Sequence, residues 1–118
     1  MDYAQTQSNL GNAYIILAEV ENKAENCENA FKAYAEALKV RTYERFPIQY
    51  AATQNNLGNA YRTLAEVKNK VENYENATKA YKKALKVFKK DKFPECYSKV
   101  ANNISNLNKE LTWILEND

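Results

Sequence analysis

Apolar residues recur at helical spacing along the chain. Leu10, Tyr14 and Leu17 stand at positions i, i+4 and i+7, and a second set with this spacing begins at Ala30. Such a period places each set on one face of an α-helix rather than on a strand. The pattern predicts an all-α fold of five helices, at about residues 2–20, 23–44, 47–67, 70–91 and 94–116.

The same segment occurs twice. Residues 3–47 align with residues 50–94 at a constant offset of 47, with 30 identities in 45 positions, and residues 95–118 resemble the start of a third copy. We expect one domain, 1–118, of repeat 1 (3–47), repeat 2 (50–94) and a half repeat or cap (95–118). Short turns make neighbouring helices antiparallel, so stacked identical pairs would form an α-solenoid with a concave and a convex side.

Glycine and asparagine mark special positions within this pattern. Gly11 and Gly58 lie inside helical stretches, where glycine costs roughly 1 kcal/mol relative to alanine. We therefore expect the aromatic residue of the following helix to pack over each glycine. Asn22 and Asn69, each with a glutamate three residues later, predict helix N-caps. Proline at 47 and 94 predicts the first turn of the next helix.

The repeat resembles the tetratricopeptide repeat (TPR). The residues that carry the resemblance are Leu10, Gly11, Tyr14, Ala30, Tyr34, Ala37 and Pro47 in the first copy, and Leu57, Gly58, Tyr61, Ala77, Tyr81, Ala84 and Pro94 in the second. A unit of 47 residues is longer than the usual 34 and is similar to the repeats of kinesin light chains. The resemblance implies a scaffold for protein or peptide binding, in which the first helix of each repeat lines the concave groove.

The residues opposite the Leu/Tyr face are the candidate peptide-binding site. Asn55 and Leu57 are two positions apart, about 200° around a helix, so the two faces point opposite ways. An Asn side chain carries one acceptor and two donors, which match a peptide unit. We expect the asparagines to hold a peptide backbone and the cations to select acidic side chains. The candidates are Asn12, Asn55, Asn56, Asn59, Arg62, Lys99, Asn102, Asn106 and Lys109, with Gln5, Ser8 and Ile15 at the same face of the first repeat.

Three alternatives stay open. The chain holds 16 asparagines, so many amides could be helix caps or solvated surface. Some TPR proteins clamp a free carboxylate; Asn12, Asn56 and Lys99 match that clamp, whereas Ser8 and Asn103 replace the expected Lys and Arg. The chain could instead be a self-assembly unit that forms homodimers through an exposed apolar patch near Ile15 and Ile16 without a peptide ligand.

Charge is unevenly distributed although the net charge is only +2. Residues 1–47 carry five basic and seven acidic residues, residues 48–94 carry ten and four, and residues 95–118 carry two and four. Lys79, Lys82, Lys83, Lys86 and Lys90 share one face of the fourth helix. With few arginines and no interleaved aromatic residues, this face fits a solvated convex surface better than nucleic acid, which we rank third.

Composition argues against catalysis. The chain has no histidine, no glycine-rich phosphate loop and no CxxC pair, so we predict no enzyme, no cofactor and no metal site. Cys27 and Cys96 are expected to be free thiols in a reducing cytoplasm. We find no signal peptide and no apolar run long enough to span a bilayer, so no membrane partner is expected.

Overall fold

The computed structural model describes residues 2–117, and within that range the chain forms five α-helices and no strand. These are α1 (Tyr3–Ala18), α2 (Lys23–Val40), α3 (Pro47–Ala65), α4 (Lys70–Leu85) and α5 (Pro94–Asn117). The predicted all-α class and the number of helices are confirmed. Among residues 2–117, no helix combines the length and the apolar composition that a membrane-spanning segment needs.

The second helix of each repeat is shorter than predicted. It ends at Val40 in α2 and at Leu85 in α4, because the chain turns before the proline. The backbone N–H of Phe46 donates to the Thr42 carbonyl (2.9 Å), and the N–H of Phe93 makes the equivalent bond four residues back (2.8 Å). The proline after each phenylalanine is the first residue of the next helix, as predicted.

The helices of each repeat lie side by side and antiparallel. The hydroxyl of Tyr3, at the start of α1, donates to Glu36 near the end of α2 (2.9 Å). At the middle of the pair the ring of Tyr34 lies on Gly11, where an added Cβ would meet the Tyr34 Cε1 at 2.5 Å. The expected packing of an aromatic residue on this glycine is therefore confirmed.

Repeat 2 reproduces this contact. A Cβ on Gly58 would lie 2.5 Å from Cε1 and 2.6 Å from Cδ1 of Tyr81, which is fully buried. An added Cβ would overlap the ring, so only glycine lets the two helices approach this closely. The duplicated glycine and tyrosine therefore set the helix separation in both repeats.

The two repeats share a core. Leu64 of α3 is buried with Ala18 and Cys27 of the first repeat. The rings of Phe31 in α2 and Tyr61 in α3 pack with their centroids 4.6 Å apart. Contacts from α3 thus reach both helices of the preceding pair.

Helix α5 covers repeat 2, but with only part of its apolar surface. Val100 and Leu107 are buried, and the side chains that partly cover the same core are Ile104, Leu111 and Ile114. Trp113 and Leu115 of the same helix do not join them, since they are 66% and 64% exposed. This end of the molecule therefore keeps an uncovered apolar edge.

The asparagines that precede α2 and α4 occupy the predicted N-cap positions but do not cap with their side chains. Asn22 and Asn69 have φ of 43° and 44°, and neither side chain makes a capping hydrogen bond. Asparagine tolerates this left-handed conformation better than most residues, which explains its use at the turn. The amides of Asn26 and Asn73 instead donate to the carbonyls of Glu21 and Lys68 (3.0 and 2.8 Å).

Candidate functional site

Three depressions along α1 and α3 share lining residues, and together they are hereafter called the α1–α3 trough. The central one, about 130 Å³, is lined by Asn12, Ile15, Ile16, Tyr34, Asn56 and Asn59. A second depression, of about 100 Å³, shares Asn12 and Asn56 with the central one and is hereafter called the Arg41 end. Its other lining residues are Gln5, Ser8, Arg41, Gln49, Ala52 and Thr53. A third depression, of about 350 Å³, shares Asn59 with the central one and is hereafter called the Glu110 end. Its other lining residues are Glu19, Arg62, Thr63, Glu66, Tyr74 and Glu110.

Two asparagines of the trough are held in a fixed orientation by buried tyrosines. The Tyr34 hydroxyl donates to Oδ1 of Asn12 (2.6 Å), and the Tyr81 hydroxyl donates to Oδ1 of Asn59 (2.5 Å). Among residues 2–117, neither amide NH₂ group has an acceptor. Each repeat therefore presents an asparagine at the same position of its first helix. The tyrosine occupies the amide oxygen of that asparagine, and its two N–H donors remain available.

Burial keeps these tyrosines protonated. Desolvation raises the pKa of Tyr34 well above its usual value and the pKa of Tyr81 to about 12. A buried hydroxyl that stays neutral across the physiological range continues to donate its hydrogen bond. The orientation of Asn12 and Asn59 is therefore insensitive to pH near neutrality.

Asn56 lies between these two positions and contributes to both the central depression and the Arg41 end. Its side chain is half-buried, and it makes no hydrogen bond to another residue of the described chain. Its amide is thus available to a ligand without loss of a contact within the fold.

The position of Asn55 contradicts the expectation of an open amide face. This side chain is only 7% exposed, and the amide of Asn103 donates to its Oδ1 across the α3–α5 interface (3.3 Å). Asn55 points away from Leu57, but α5 packs over that side of α3, so the expectation that Asn55 lines the groove was wrong. The same contact engages Asn103, one of the positions considered for a carboxylate clamp.

Arg62 lies in the trough but is already paired. Its guanidinium donates to the Glu110 carboxylate (2.9 Å), so the expectation that it is free to select acidic side chains is wrong. Burial, and then the neighbouring Glu110 carboxylate, raise the pKa of Tyr74 to about 12. With Glu19 and Glu66 nearby, the Glu110 end is lined by three carboxylates and one guanidinium.

The other candidates on α5 do not line the trough. Lys99, Asn102, Asn106 and Lys109 are all exposed. Lys109 lies instead beside Trp113, in two shallow depressions away from α1. The structure therefore brings together Asn12, Asn56, Asn59 and Arg62, and separates them from the four candidates of the last helix.

Sequence reasoning missed the acidic residues of the trough. Glu19 and Glu66 occupy equivalent positions of the two repeats, so the duplication itself could have pointed to them. Nothing in the repeat pattern pointed to Glu110. These carboxylates do not make a metal centre: within residues 2–117 no group of three or more cysteine or acidic side chains is arranged to hold an ion.

No family model, curated protein or solved structure matches the chain.

Proposed function

We propose that this chain is a TPR-like α-solenoid that binds an extended protein or peptide segment in the α1–α3 trough. The observation that carries this proposal is that Asn12, Asn56 and Asn59 are shared between neighbouring depressions. Two of them, Asn12 and Asn59, are oriented by equivalent buried tyrosines, Tyr34 and Tyr81. A repeated, pre-oriented row of donors suits a ligand whose acceptors also repeat, as backbone carbonyls do.

The contacts between first helices support the solenoid. Ser8 lies 3.4 Å from Thr53 across α1 and α3, and Arg62 pairs with Glu110 across α3 and α5. These partners are 45 and 48 residues apart, close to the repeat length, so the first helices run parallel and follow one another in the order of the chain. Stacking of successive helix pairs in one direction is what defines a solenoid.

The trough also has the chemistry of a peptide site. Neutral amides are cheaper to desolvate than charges, so they can hold a backbone without a large penalty. Ile15 and Ile16 add apolar contact in the central depression, and Ile16 is 71% exposed. Amides for the backbone and isoleucines for a side chain are the combination expected of a small binding groove.

The Glu110 end favours a basic side chain in the ligand. Three carboxylates line it against the single guanidinium of Arg62, which Glu110 already neutralises. A lysine or arginine of the bound segment would meet Glu19 and Glu66, which are about half exposed and share one cation of the fold, Lys23 (3.9 and 3.1 Å). The sequence had instead led us to expect that the site selects acidic side chains of the ligand.

Selection of peptides from a random library displayed on phage tests the proposal. Asn56→Ala removes a trough amide that has no partner in the fold, and Asn106→Ala is the matched control, an exposed amide outside the trough. We expect selected peptides to lose about tenfold in affinity for Asn56→Ala, the value of one or two hydrogen bonds, and to bind Asn106→Ala normally. Failure to select any binder, or equal affinity for Asn56→Ala, would refute the proposal.

Self-association is the second candidate, favoured by the exposed apolar face of α1. Leu10 and Leu17 are 42% and 38% exposed, whereas Leu64, the counterpart of Leu17 in α3, is buried against the first repeat. A second copy could cover this face and bury comparable apolar surface. Light scattering over a tenfold dilution tests this; a dimer mass lost in Leu10→Gln would support it, and a constant monomer mass would exclude it.

A further inference from the structure

A dense group of lysines lies on the outer side of α4 and in the turn that follows, hereafter the α4 lysine face. Its seven members, all exposed, are Lys79, Lys82, Lys83, Lys86, Lys89, Lys90 and Lys92. They are half of the 14 lysines of the chain, confined to 14 consecutive positions that contain one acidic residue, Asp91. A general bias of composition toward lysine would spread these residues along the chain, so the clustering requires another cause.

The two copies of the repeat show that the fold does not require four of these seven charges; the other three, Lys79, Lys86 and Lys92, have basic counterparts in the first copy. The copies differ at 15 of 45 positions, and four of these differences put lysine on this face in place of an uncharged or acidic residue. The residues replaced in the first copy are Ala35, Glu36, Thr42 and Tyr43. Helix α2 forms the same packing with one lysine, Lys39, in its last turn. The added cations therefore serve something outside the helix pair.

These lysines are free to meet a partner. Positions 79, 82, 83 and 86 fall within an arc of about 100° on the helix, opposite the buried residues Tyr74, Ala77 and Tyr81. None of the five ion pairs between described residues involves a lysine of this face. The charge is thus presented outward and is not neutralised within residues 2–117.

The surroundings of the face indicate which kind of partner it fits. Between Val67 and Trp113 no large apolar side chain of the described chain is exposed, so the face has no anchor for a protein pocket and no ring on which a base could stack. Lysine supplies point charges without the forked geometry of arginine. A layer of anionic headgroups is held by the summed attraction of such point charges and needs neither an apolar anchor nor a stacking ring.

We propose that the α4 lysine face docks the protein on a membrane surface rich in anionic phospholipids. Clusters of four to eight cations on a helix bind such surfaces through the summed attraction of their charges. The contact is peripheral and needs no spanning helix. The first repeat, which carries more acidic than basic residues, would be turned away from the membrane, leaving the α1–α3 trough independent of the docking.

The test uses two variants with the same loss of charge. The face variant carries Lys82→Ala, Lys83→Gln, Lys89→Thr and Lys90→Gln, of which the alanine and threonine are the residues of the first copy. The control variant carries Lys32→Gln, Lys68→Gln, Lys99→Gln and Lys109→Gln, four exposed lysines elsewhere. Circular dichroism verifies that both fold as the parent protein does.

Sedimentation with vesicles gives the result. The parent and the control variant should bind vesicles of phosphatidylcholine with about 30% phosphatidylserine at about 0.1 M salt and not vesicles of phosphatidylcholine alone. The face variant should lose about 600-fold in affinity, roughly fivefold for each of its four lysines. No binding by the parent, equal loss in both variants, or tighter binding of a short DNA duplex than of the anionic vesicles would overturn the proposal.

Discussion

Substitution of Gly58 by alanine should destabilise the protein, against the normal preference of a helix. Alanine in place of glycine inside a helix is worth about 1 kcal/mol in stability when nothing else changes. Here the new Cβ would lie 2.5–2.9 Å from three ring atoms of Tyr81, and that ring is buried and held by its bond to Asn59. Overpacking of this kind costs about 1–3 kcal/mol, and displacement of the hydroxyl adds about 1 kcal/mol.

The net expectation is a loss of about 2 kcal/mol in the free energy of unfolding and of roughly 5–10 °C in Tm. Urea unfolding followed by circular dichroism measures it. In the Tyr81→Val background, which lacks the ring, the same Gly58→Ala change should instead stabilise by about 0.5–1 kcal/mol. If Gly58→Ala stabilises the parent protein, or if its effect is the same in both backgrounds, the proposed helix contact is wrong.

Three further predictions concern the core, the trough and the thiols. Leu107→Ala should lower the free energy of unfolding by about 2–5 kcal/mol because this fully buried side chain anchors α5; urea unfolding measures it, and a loss below about 1 kcal/mol would contradict the packing. Tyr34→Phe should cost about 1 kcal/mol and free the Asn12 amide to rotate; its side-chain NMR signals should then narrow and move toward those of a solvated asparagine. At pH 8 an aromatic disulfide reagent should modify exposed Cys96 quickly and buried Cys27, whose pKa burial raises to about 11, only in denaturant; fast reaction of both thiols in the native protein would contradict the burial.

The sequence was sufficient for the parts of the fold that repeat. The offset of 47 residues, the spacing of Leu10, Tyr14 and Leu17, and the prolines predicted the helices and their order. The glycines predicted the tyrosine contact, because a costly residue retained in a helix indicates a close neighbour. The repeat pattern did not predict where α2 and α4 end. Those ends depend on the turns in which the N–H groups of Phe46 and Phe93 donate to carbonyls four residues earlier.

The duplication identified trough residues most directly at Asn12 and Asn59, where both repeats present the same surroundings. Asn12 and Asn59 line the trough as expected because a tyrosine 22 residues later holds each of them. Asn55 does not, because α5 covers α3 while its counterpart Ser8 faces a different neighbour, Thr53. Helical angles fix where a side chain points but not which helix packs over it, and the pairing of Arg62 with Glu110 was hidden for the same reason.

The side-chain amide signals of the asparagines test the central claim most directly. In a ¹H–¹⁵N NMR titration with a peptide selected on the parent protein, the NH₂ signals of Asn12, Asn56 and Asn59 should shift together and saturate at one stoichiometry. The signals of Asn102 and Asn106, which lie outside the trough, should stay in place. Shifts confined to the asparagines of α5, with those of the trough unmoved, would contradict a peptide site between α1 and α3.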